Sequence, residues 1–596
     1  MSFANLRSSR KAKEARSFVK DAVTSKADEN LPEQSVVIAG HCGTEQADLA
    51  DTSMATSSHV SEPARIAALQ VRESSIAGRG TFAKAAHKPG SVINAVKPYI
   101  SVLSTPYLST FCTNCSSPPK QDAKLKRCTR CRVVWYCSDQ CQTLDWDIHK
   151  YECKALQRWA ESAPDDAKIP SDALRSLGRI LWGFKQHGLD REWTKSMTQL
   201  QSHRTSLPPS AFEPYTHLAH SLIRYLGVES PLELEPYGVK STGDLVDVIS
   251  RFTTNAFTLT SYTLNPIGVA VSPDAAFVNH SCDPNAVIVF PRVSDKQSTE
   301  EPQMSLVAIK KIPSGEEVTI SYVDTTLPRE LRQEELKETY NFECKCTLCS
   351  TVQYDDPRTA MYCPKRCGGL RPAPINGSTP PPCMKCKAVT GNLEGELDAF
   401  NVGQELLAKA ATIQQSDPQR AKRLASNVID VMTRAGLTPS CHPLLAVTRL
   451  HQELLVASLS ESPTQETLDE AIRTSAKYVA GLSAILPTGH PVRGVALAEL
   501  GKLLAVDEPA PPTDPSASLD RFPPSGSARL RLARETLVRA RGELMIGFGT
   551  NHGGGLVGRE LREAIVRLEN ELGAWTQGVQ NALEDAKAAR PNAHRI

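Results

Sequence analysis

The chain has 596 residues, of which 40% are hydrophobic, and its 68 Lys and Arg against 66 Asp and Glu leave a formal net charge of +2. This composition supports apolar cores and excludes a wholly disordered chain, and at roughly 150 residues per domain it predicts about two to four domains. The near-neutral charge excludes a protein built throughout for binding nucleic acid or an acidic membrane surface.

The N-terminal segment 1–62 is polar, with a basic start, and predicts a disordered tail. It lacks the apolar stretch of a secretory signal, and no apolar run in the chain approaches the roughly 18–20 residues that cross a bilayer. We therefore expect no membrane segment, and a location in the cytoplasm and nucleus.

Beyond the tail, the period of the apolar residues changes several times. Residues 64–105 are β-like and broken by glycines, helical spacing marks 165–250, and β-branched runs return between 268 and 324. Helical segments fill 393–596, interrupted by the Pro- and Ser-rich stretch 508–527, which predicts a disordered insertion. The fold class predicted is α+β and multidomain.

The 17 cysteines are strongly clustered. Seven lie in 112–153, three in 344–349 and four in 363–386, with Cys282 between the first two groups. Because cysteine pairs with short gaps in a chain without a secretory signal are typical of zinc sites, we predict zinc sites here rather than disulfides.

The first cluster offers eight ligands in four closely spaced pairs, enough for two tetrahedral zinc ions. Closed sites of four thiolate or imidazole ligands are structural, and a segment this short needs the metal for much of its folding free energy. The predicted ligands are Cys112, Cys115, Cys128, Cys131, Cys137, Cys141, His149 and Cys153.

The order of these ligands, and neighbours such as Tyr136-Cys137-Ser138 and Trp146, resemble the MYND zinc finger. The resemblance implies cross-braced pairing, in which Cys112, Cys115, Cys137 and Cys141 bind one zinc and Cys128, Cys131, His149 and Cys153 the other. It also implies binding of proline-rich peptides. The finger is basic, through Lys120, Lys124, Lys126, Arg127, Arg130 and Arg132, which suits either DNA backbone contact or a solvated charged face.

Three further motifs follow in order: Asn279-His280-Ser281-Cys282, then Gly315-Glu316-Glu317 leading to Tyr322, then Phe342-Glu343-Cys344-x-Cys346-x2-Cys349. Three cysteines so spaced need a fourth ligand for a tetrahedral zinc, and Cys282 is the natural one.

With Gly78-Arg79-Gly80 upstream, these motifs resemble the SET lysine methyltransferase domain and its post-SET tail, and a finger inserted between them resembles the SET-and-MYND (SMYD) family. The resemblance implies a β-rich SET domain over 63–350, split by the MYND finger 112–153 and the helical insert 165–250. It also implies a C-terminal α-helical, TPR-like domain over 393–596, to which Gly489-His490-Pro491-Val492-Arg493-Gly494 looks related.

By the same resemblance, S-adenosylmethionine is the cofactor. Its predicted neighbours are Gly78, Arg79, Gly80, His203, Asn255, Asn279, His280, Tyr322 and Phe342. Tyr322 stands at the position of the SET catalytic tyrosine, and Tyr340 and Phe257 are expected to wall the lysine channel. Because a protonated lysine has no lone pair, the channel must favour the neutral amine, which an apolar lining does.

A third cysteine group, Cys363-x3-Cys367-x15-Cys383-x2-Cys386, follows the post-SET motif and is absent from the family's core pattern. Its two pairs predict a zinc ribbon over 351–392 and a fourth zinc, with unpaired surface thiols as the alternative.

The main interpretation is an S-adenosylmethionine-dependent protein-lysine N-methyltransferase that acts on histone or other protein lysines, with three zinc ions or four. The alternative is a zinc-stabilised interaction scaffold and transcriptional regulator with a weak or inactive SET domain. The presence of Asn279, His280 and Tyr322 favours the enzyme, because a scaffold does not need them. We expect a monomer.

Overall fold

A computed structural model describes residues 68–75, 78–119, 123–206, 209–292, 300–350, 356–374, 379–510 and 522–588. The predicted tail 1–62 and part of the predicted insertion 508–527 lie outside the described residues. The α+β architecture predicted from the sequence is confirmed, with short strands in the first 372 residues and helices from Leu393 onward.

Small sheets built from distant segments form the first half of the chain. One has the strand order β10-β11-β3, another the order β4-β8-β7, and β1 pairs with β2. Strands β9 and β12 pair in parallel. Their bounds are β1 (Leu69–Glu73), β2 (Arg79–Ala83), β3 (Val92–Val96), β4 (Ile100–Leu103), β7 (Ala256–Thr260), β8 (Pro266–Val271), β9 (Asn279–His280), β10 (Ala286–Val289), β11 (Met304–Ala308) and β12 (Thr319–Ile320).

The first cysteine cluster and five helices lie between β4 and β7. A hairpin of β5 (Lys126–Arg127) and β6 (Trp135–Tyr136) leads into α1 (Asp139–Ser162), which Ser138 caps by accepting a hydrogen bond from the Cys141 amide. The helices span 139–255, so they begin before and end after the predicted 165–250. The others are α2 (Asp172–His187), α3 (Glu192–Thr198), α4 (Pro209–Leu226) and α5 (Thr242–Asn255).

A buried charge network joins α1 to α2. The carboxylate of Glu152, fully buried, accepts from Arg175 at 3.1 Å and from Arg179 at 2.5 Å, and Arg179 also pairs with Asp145 at 2.8 Å. Burial alone would raise the pKa of Glu152, but the two arginines outweigh it and hold that pKa well below its usual value. The network closes onto the finger, because the Tyr136 hydroxyl donates to Asp145.

Helix α6 (Pro273–Ala276) lies between β8 and β9. After β12, two further helices surround the second cysteine group, residues 344–349: α7 (Arg329–Tyr340) and α8 (Thr347–Ser350). A hairpin of β13 (Ala360–Tyr362) and β14 (Leu370–Pro372) carries the third. Single 3₁₀ turns cover Thr105–Tyr107, Asp165–Ala167, Arg204–Ser206, Pro357–Thr359 and Thr550–His552, and a longer one covers Pro231–Tyr237.

Successive helices of the C-terminal half pack against one another, as in a helical repeat. They are α9 (Leu393–Ile413), α10 (Pro418–Arg434), α11 (His442–Glu461), α12 (Gln465–Ile485), α13 (Pro491–Leu504), α14 (Gly526–Gly547) and α15 (Gly555–Ala588). Their apolar core continues into the sheet of the first half, because Val289 and Val307 belong to the same buried cluster. Within the described residues, no helix combines the length and apolar character needed to cross a membrane.

The Gly489-to-Gly494 motif holds α13 against α14. The amide of Gly489 donates to Glu543 at 2.6 Å, and Arg493 pairs with the same carboxylate at 2.9 Å. His490 caps α13 through a hydrogen bond from the Val492 amide, and a Cβ at Gly494 would meet Leu544 at 2.8 Å. The motif therefore acts through capping and close helix packing.

Removing the charge of Glu152 should destabilise the fold. Glu152→Gln leaves Arg175 and Arg179 with too little negative charge in a buried site, which costs about 3–5 kcal/mol of unfolding free energy. Urea denaturation at neutral pH checks this. Glu161→Gln, an exposed change on the same helix α1, is the matched control and should cost under about 0.5 kcal/mol; equal midpoints for the two variants would contradict the prediction.

Candidate functional site

The predicted metal ligands fall into four groups, and in each the four ligand atoms lie within 4.8 Å of one another. Sulfurs around a tetrahedral zinc, at about 2.3 Å from it, stand roughly 3.8 Å apart, whereas a disulfide holds them at about 2 Å. Cys115 and Cys137 lie 3.6 Å apart, and Cys128 and Cys153 lie 3.9 Å apart. The spacing fits zinc. The groups are Cys112, Cys115, Cys137, Cys141; Cys128, Cys131, His149, Cys153; Cys282, Cys344, Cys346, Cys349; and Cys363, Cys367, Cys383, Cys386.

The group formed by Cys282, Cys344, Cys346 and Cys349 ties α7 and α8 to the segment after β9. The sulfurs of Cys282 and Cys349 lie 3.4 Å apart although 67 residues separate them. The buried guanidinium of Arg332 reaches the Cys349 sulfur at 3.9 Å, and Gln333 exchanges two hydrogen bonds with the backbone of Cys344. These contacts supply positive charge and orientation to the thiolates, as outer-shell partners of a metal do.

His280 connects that metal group to the predicted catalytic tyrosine. Its Nδ1 accepts from the Tyr322 amide at 3.0 Å, so the ring proton is on Nε2, which faces the Cys282 sulfur at 3.2 Å. Burial lowers the pKa of His280 to about 4, in keeping with a neutral ring. Both ring nitrogens are thus engaged by the protein, and only the ring faces and backbone of His280 are left to meet a cofactor.

A cluster of hydrogen bonds centred on the Glu317 carboxylate, which we call the node, holds the glycine motif against β9. Glu317 accepts from the Asn279 amide at 2.7 Å and from the Ser74 hydroxyl at 2.8 Å, while Asn279 also donates to the Arg79 carbonyl at 3.1 Å. A Cβ at Gly80 would lie 2.2 Å from the Glu317 carboxylate. Gly80 is therefore required by close approach, and Gly78 by its φ of +51°.

Glu317 and Asn285 are site residues that sequence reasoning missed. Asn285 donates to the Glu317 carbonyl and accepts from the Thr319 amide, so it fixes β12 beside β9. Glu317 stands inside a motif that the sequence analysis singled out, and Asn285 lies three residues after the end of another. Their polar side chains beside predicted strands were the available signal, but only the fold shows which groups they reach.

His203 and Asn255 lie in a second wall, beside the glycine motif. The Arg79 guanidinium donates to the Gln199 carbonyl at 2.8 Å, and the Asn255 amide donates to the Gln201 carbonyl at 2.9 Å. His203 itself has a φ of +51°, and burial lowers its pKa. The end of α5 and the glycine motif therefore both hold the loop 199–203 in place by hydrogen bonds.

Four of the predicted aromatic residues stand on a wall beside the node. The rings of Tyr322 and Tyr340 are 4.9 Å apart, and Phe342 lies edge-on to Tyr322 at 6.4 Å. Phe257, on β7, lines the same cavity as Tyr322 and Tyr340. Gly78 and Arg79 of the glycine motif are exposed, and Asn279, which neighbours His280 on β9, is half-buried. An aromatic face with a polar rim suits a cofactor that combines a purine ring with a charged amino acid part.

The hydroxyl of Tyr322 donates to the Val278 carbonyl at 2.7 Å, which fixes the direction of its lone pairs. Burial raises the pKa of Tyr322 above its usual value, and the neighbouring Tyr340 and Glu317 raise it further. The phenol is therefore neutral at physiological pH and can orient a donor without itself ionising.

The cavity, of about 630 Å³, lies between the sheets and the C-terminal helices. Its charged lining residues are three acidic ones, Asp324, Glu335 and Glu453, and one basic one, Arg449. Arg449 pairs with Glu453 at 3.0 Å. Residues from α9, α11, α12 and α13 complete the lining, for example Leu407, Leu445, Tyr478 and Val492. The aromatic wall therefore opens into an acidic cleft between the two halves of the chain.

Comparisons with known proteins agree with this geometry. A family model described as SET domain matches residues 78–323, which run from the first motif glycine to the residue after Tyr322. The chain is 28% identical over 458 residues to Histone-lysine N-methyltransferase ASHR1 of Arabidopsis thaliana, covering 72% of this chain and 84% of that protein. It is 26% identical over 443 residues to Histone-lysine N-methyltransferase SMYD3 of Mus musculus, covering 73% and 88%.

Among solved structures, the chain is similar to one described as the SET domain of LSMT bound to lysine and AdoHcy, with 12% identity and coverage of 86% of this chain and 89% of that one. The TM-score of 0.25 is too low to bear on the fold.

Filling the space at Gly80 should weaken cofactor binding. In Gly80→Ala the new methyl group displaces the Glu317 carboxylate and with it Asn279, so we expect the affinity for S-adenosylhomocysteine to fall roughly tenfold or more, as an overpacking cost of about 1–3 kcal/mol implies. Isothermal titration calorimetry checks this. Gly542→Ala, where a Cβ meets nothing within 4 Å, is the control; unchanged affinity in Gly80→Ala would show that the node does not shape the cofactor site.

Proposed function

This chain belongs to the SET-and-MYND (SMYD) family, and we propose that it is a protein-lysine N-methyltransferase whose reaction takes place at Tyr322, where the acidic cleft meets the Gly80–Asn279–Glu317 node. The observation that carries the proposal is the position of the Tyr322 hydroxyl, held by the Val278 carbonyl at the junction of cofactor wall and cleft. A scaffold without activity has no need of this arrangement.

S-adenosylmethionine, when bound, supplies an electrophilic methyl group on a sulfonium centre. The residues suited to hold it are Gly78, Arg79 and Gly80 through the backbone, Asn279 through its amide, and Phe342 through its ring. Glu317 keeps Asn279 in place, and His280 fixes the backbone of Tyr322.

The protein's own contribution is to present a neutral, oriented amine. Phe257, Tyr322 and Tyr340 line the cavity with aromatic surface, which disfavours a charged ammonium and excludes water. Because the Tyr322 hydroxyl donates its hydrogen bond to the Val278 carbonyl, its oxygen lone pairs remain available to accept an N–H of the amine. This leaves the nitrogen lone pair directed toward the methyl group.

The acidic lining of the cleft supports substrates that are basic around the target lysine. Asp324, Glu335 and Glu453 outnumber Arg449 there, so flanking Lys or Arg residues find complementary charge. Histone tails have this composition, and the relatives ASHR1 and SMYD3 are named histone-lysine N-methyltransferases. We therefore propose histones among the substrates, together with other proteins that carry a lysine in a basic segment.

The MYND finger is proposed as a docking site for proline-rich peptides. Leu144 and Trp146 are exposed on α1 beside the metal group that contains His149, and an exposed indole suits a proline ring. DNA binding is less well supported, because Lys126 pairs with Asp139 and Arg127 lies over the Trp135 ring; Lys120 lies outside the described residues. Two measurements test these alternatives. If a proline-rich peptide binds the wild type but not Trp146→Ala, and the wild type shows no salt-dependent affinity for DNA, peptide docking is supported and DNA binding is not.

The metal groups also bear on location and assembly. Fifteen cysteine sulfurs in four ligand groups require reduced thiols, which supports a cytoplasmic and nuclear protein. We propose that the chain acts as a monomer, since a single chain supplies the cofactor wall, the aromatic channel and the cleft. Sedimentation of the purified protein tests the monomer, and fluorescence microscopy of the tagged chain tests its location.

Replacing the catalytic hydroxyl should slow methyl transfer while leaving the cofactor bound. Tyr322→Phe removes the lone pairs that orient the amine, so we expect kcat to fall roughly 10²-fold. Transfer of labelled methyl from S-adenosylmethionine to histones and lysate proteins checks this. The exposed Tyr362→Phe is the control and should match wild type. Cofactor binding without transfer in the wild type would favour the scaffold, and equal rates in wild type and Tyr322→Phe would exclude the assigned role.

A further inference from the structure

The third cysteine group lies on two facing knuckles. The first, Cys363–Cys367, follows β13, and the second, Cys383–Cys386, folds back beside β14 through the hydrogen bond from the Met384 amide to the Leu370 carbonyl. Backbone N–H groups of Lys365 and Cys367 point at the Cys363 sulfur, and those of Lys385 and Cys386 at the Cys383 sulfur. Amides that converge on sulfurs in this way stabilise thiolates, as in metal-binding knuckles.

The space between the knuckles fits one metal ion. The Cys363 and Cys386 sulfurs are 3.5 Å apart and those of Cys367 and Cys383 are 3.6 Å apart, near the roughly 3.8 Å of a tetrahedral Zn–S₄ site and far from a disulfide. A Cβ at Gly369 would lie 2.8 Å from the Cys383 sulfur, so only glycine leaves the ligands their room. Four basic residues stand between and beside the ligands, where they offset the net negative charge of such a site: Lys365, Arg366, Lys385 and Lys387.

On one side, the knuckles are anchored to the catalytic half. Arg358, buried just before β13, donates from Nε to the Thr325 carbonyl at 2.7 Å and pairs with Asp356 at 3.0 Å. Thr325 lines the cleft three residues after Tyr322. The start of the ribbon is therefore fixed to the loop that leaves the active site.

On the other side, the ribbon is anchored to the helices. The Tyr362 amide donates to the Gly436 carbonyl at 2.7 Å, and Thr438 donates to the Ala360 carbonyl through both its amide and its hydroxyl. Met361 is fully buried in a core formed with α10 and α11, whose members include Val428, Met432, Leu444 and Val447.

Strand β14 makes a second attachment, to α9. The buried Arg371 pairs with Glu396 at 2.5 Å. Both α9 and α11 contribute residues to the cleft, among them Leu407 and Leu445. The two strands that the knuckles join therefore hold the helices which face the active site.

We propose that Cys363, Cys367, Cys383 and Cys386 bind a fourth, structural zinc ion, and that the ribbon closed by this zinc is the joint that positions α9–α11 across the substrate cleft. The zinc holds β13 and β14 together, and those strands carry the attachments to Thr325, Gly436 and Glu396. The consequence for substrate binding rests on the proposed methyltransferase function, whereas the metal site and the joint do not.

The first test counts zinc in the purified full-length chain by inductively coupled plasma mass spectrometry. We expect four zinc ions in the wild type, one for each ligand group, and three in Cys386→Ser. Cys386→His, which restores a ligand, should return to four, and Val389→Ser, an exposed change three residues after Cys386, should keep four. Cys386 is exposed, so these changes do not disturb the core. Three zinc ions in both wild type and Cys386→Ser, or iron in place of zinc, would overturn the metal assignment.

The second test measures amide hydrogen exchange in the same variants. In Cys386→Ser, amides of β13, of 436–438 and of the first turns of α9 should exchange at least about tenfold faster, while β9 and β12 stay protected. Cys386→His and Val389→Ser should match the wild type. Loss of one zinc with unchanged exchange would overturn the joint while leaving the metal site.

The third test separates the joint from catalysis. For a histone substrate, Cys386→Ser should raise KM about fivefold or more with kcat and the Kd of S-adenosylhomocysteine near wild type, because helix placement changes and the channel does not. An unchanged KM would overturn the role of the joint in the cleft. If the wild type transfers no methyl group at all, the proposed function fails, and the zinc count and the exchange measurements still decide the joint.

Discussion

Convergence of cysteine ligands at four points is the constraint on which the rest of this structure depends. Apart from α1, the segments that meet there are short strands, a one-turn helix and irregular loops, which cannot bury enough apolar surface to hold themselves together. Zinc bound to thiolates supplies the missing free energy. The second group of the finger leads through His149 and Glu152 into the charge network with Arg175 and Arg179, so the finger is continuous with the helical insert.

The metal group at Cys282 has a more direct bearing on catalysis. Its sulfur faces His280, whose other nitrogen accepts from the amide of Tyr322. The neighbouring β9 residue, Asn279, is held by Glu317 against the backbone of the glycine motif. Two adjacent residues of one short strand thus connect a structural metal group, the catalytic tyrosine and the cofactor wall. A disturbance of this metal group would therefore shift both Tyr322 and the cofactor wall, although the metal group itself contributes no group to the reaction.

The cleft depends on a different kind of contact. Its aromatic wall comes from the first half of the chain and its opposite wall from α9 and α11–α13. Packing of Val289 and Val307 into the helical core brings the two halves together. The ribbon at 360–372 adds hydrogen bonds and a buried ion pair at the cleft's edge. The wall opposite the aromatic residues therefore comes from helices that follow the SET-domain match in the chain.

The sequence alone determined the ligand sets, the α+β architecture and the aromatic residues of the channel, because these depend on local spacing and on motifs that keep their residues close together in the chain. Glu317 stood within a recognised motif, yet its role depends on meeting Asn279 and Ser74, which only the pairing of distant strands brings about. His280 was expected at the cofactor, and the fold adds that both its ring nitrogens are engaged by the protein. The acidic cleft and the ribbon's attachments were likewise decided by tertiary structure, since charge complementarity and buried ion pairs arise between residues whose separation along the chain says nothing about their distance in space.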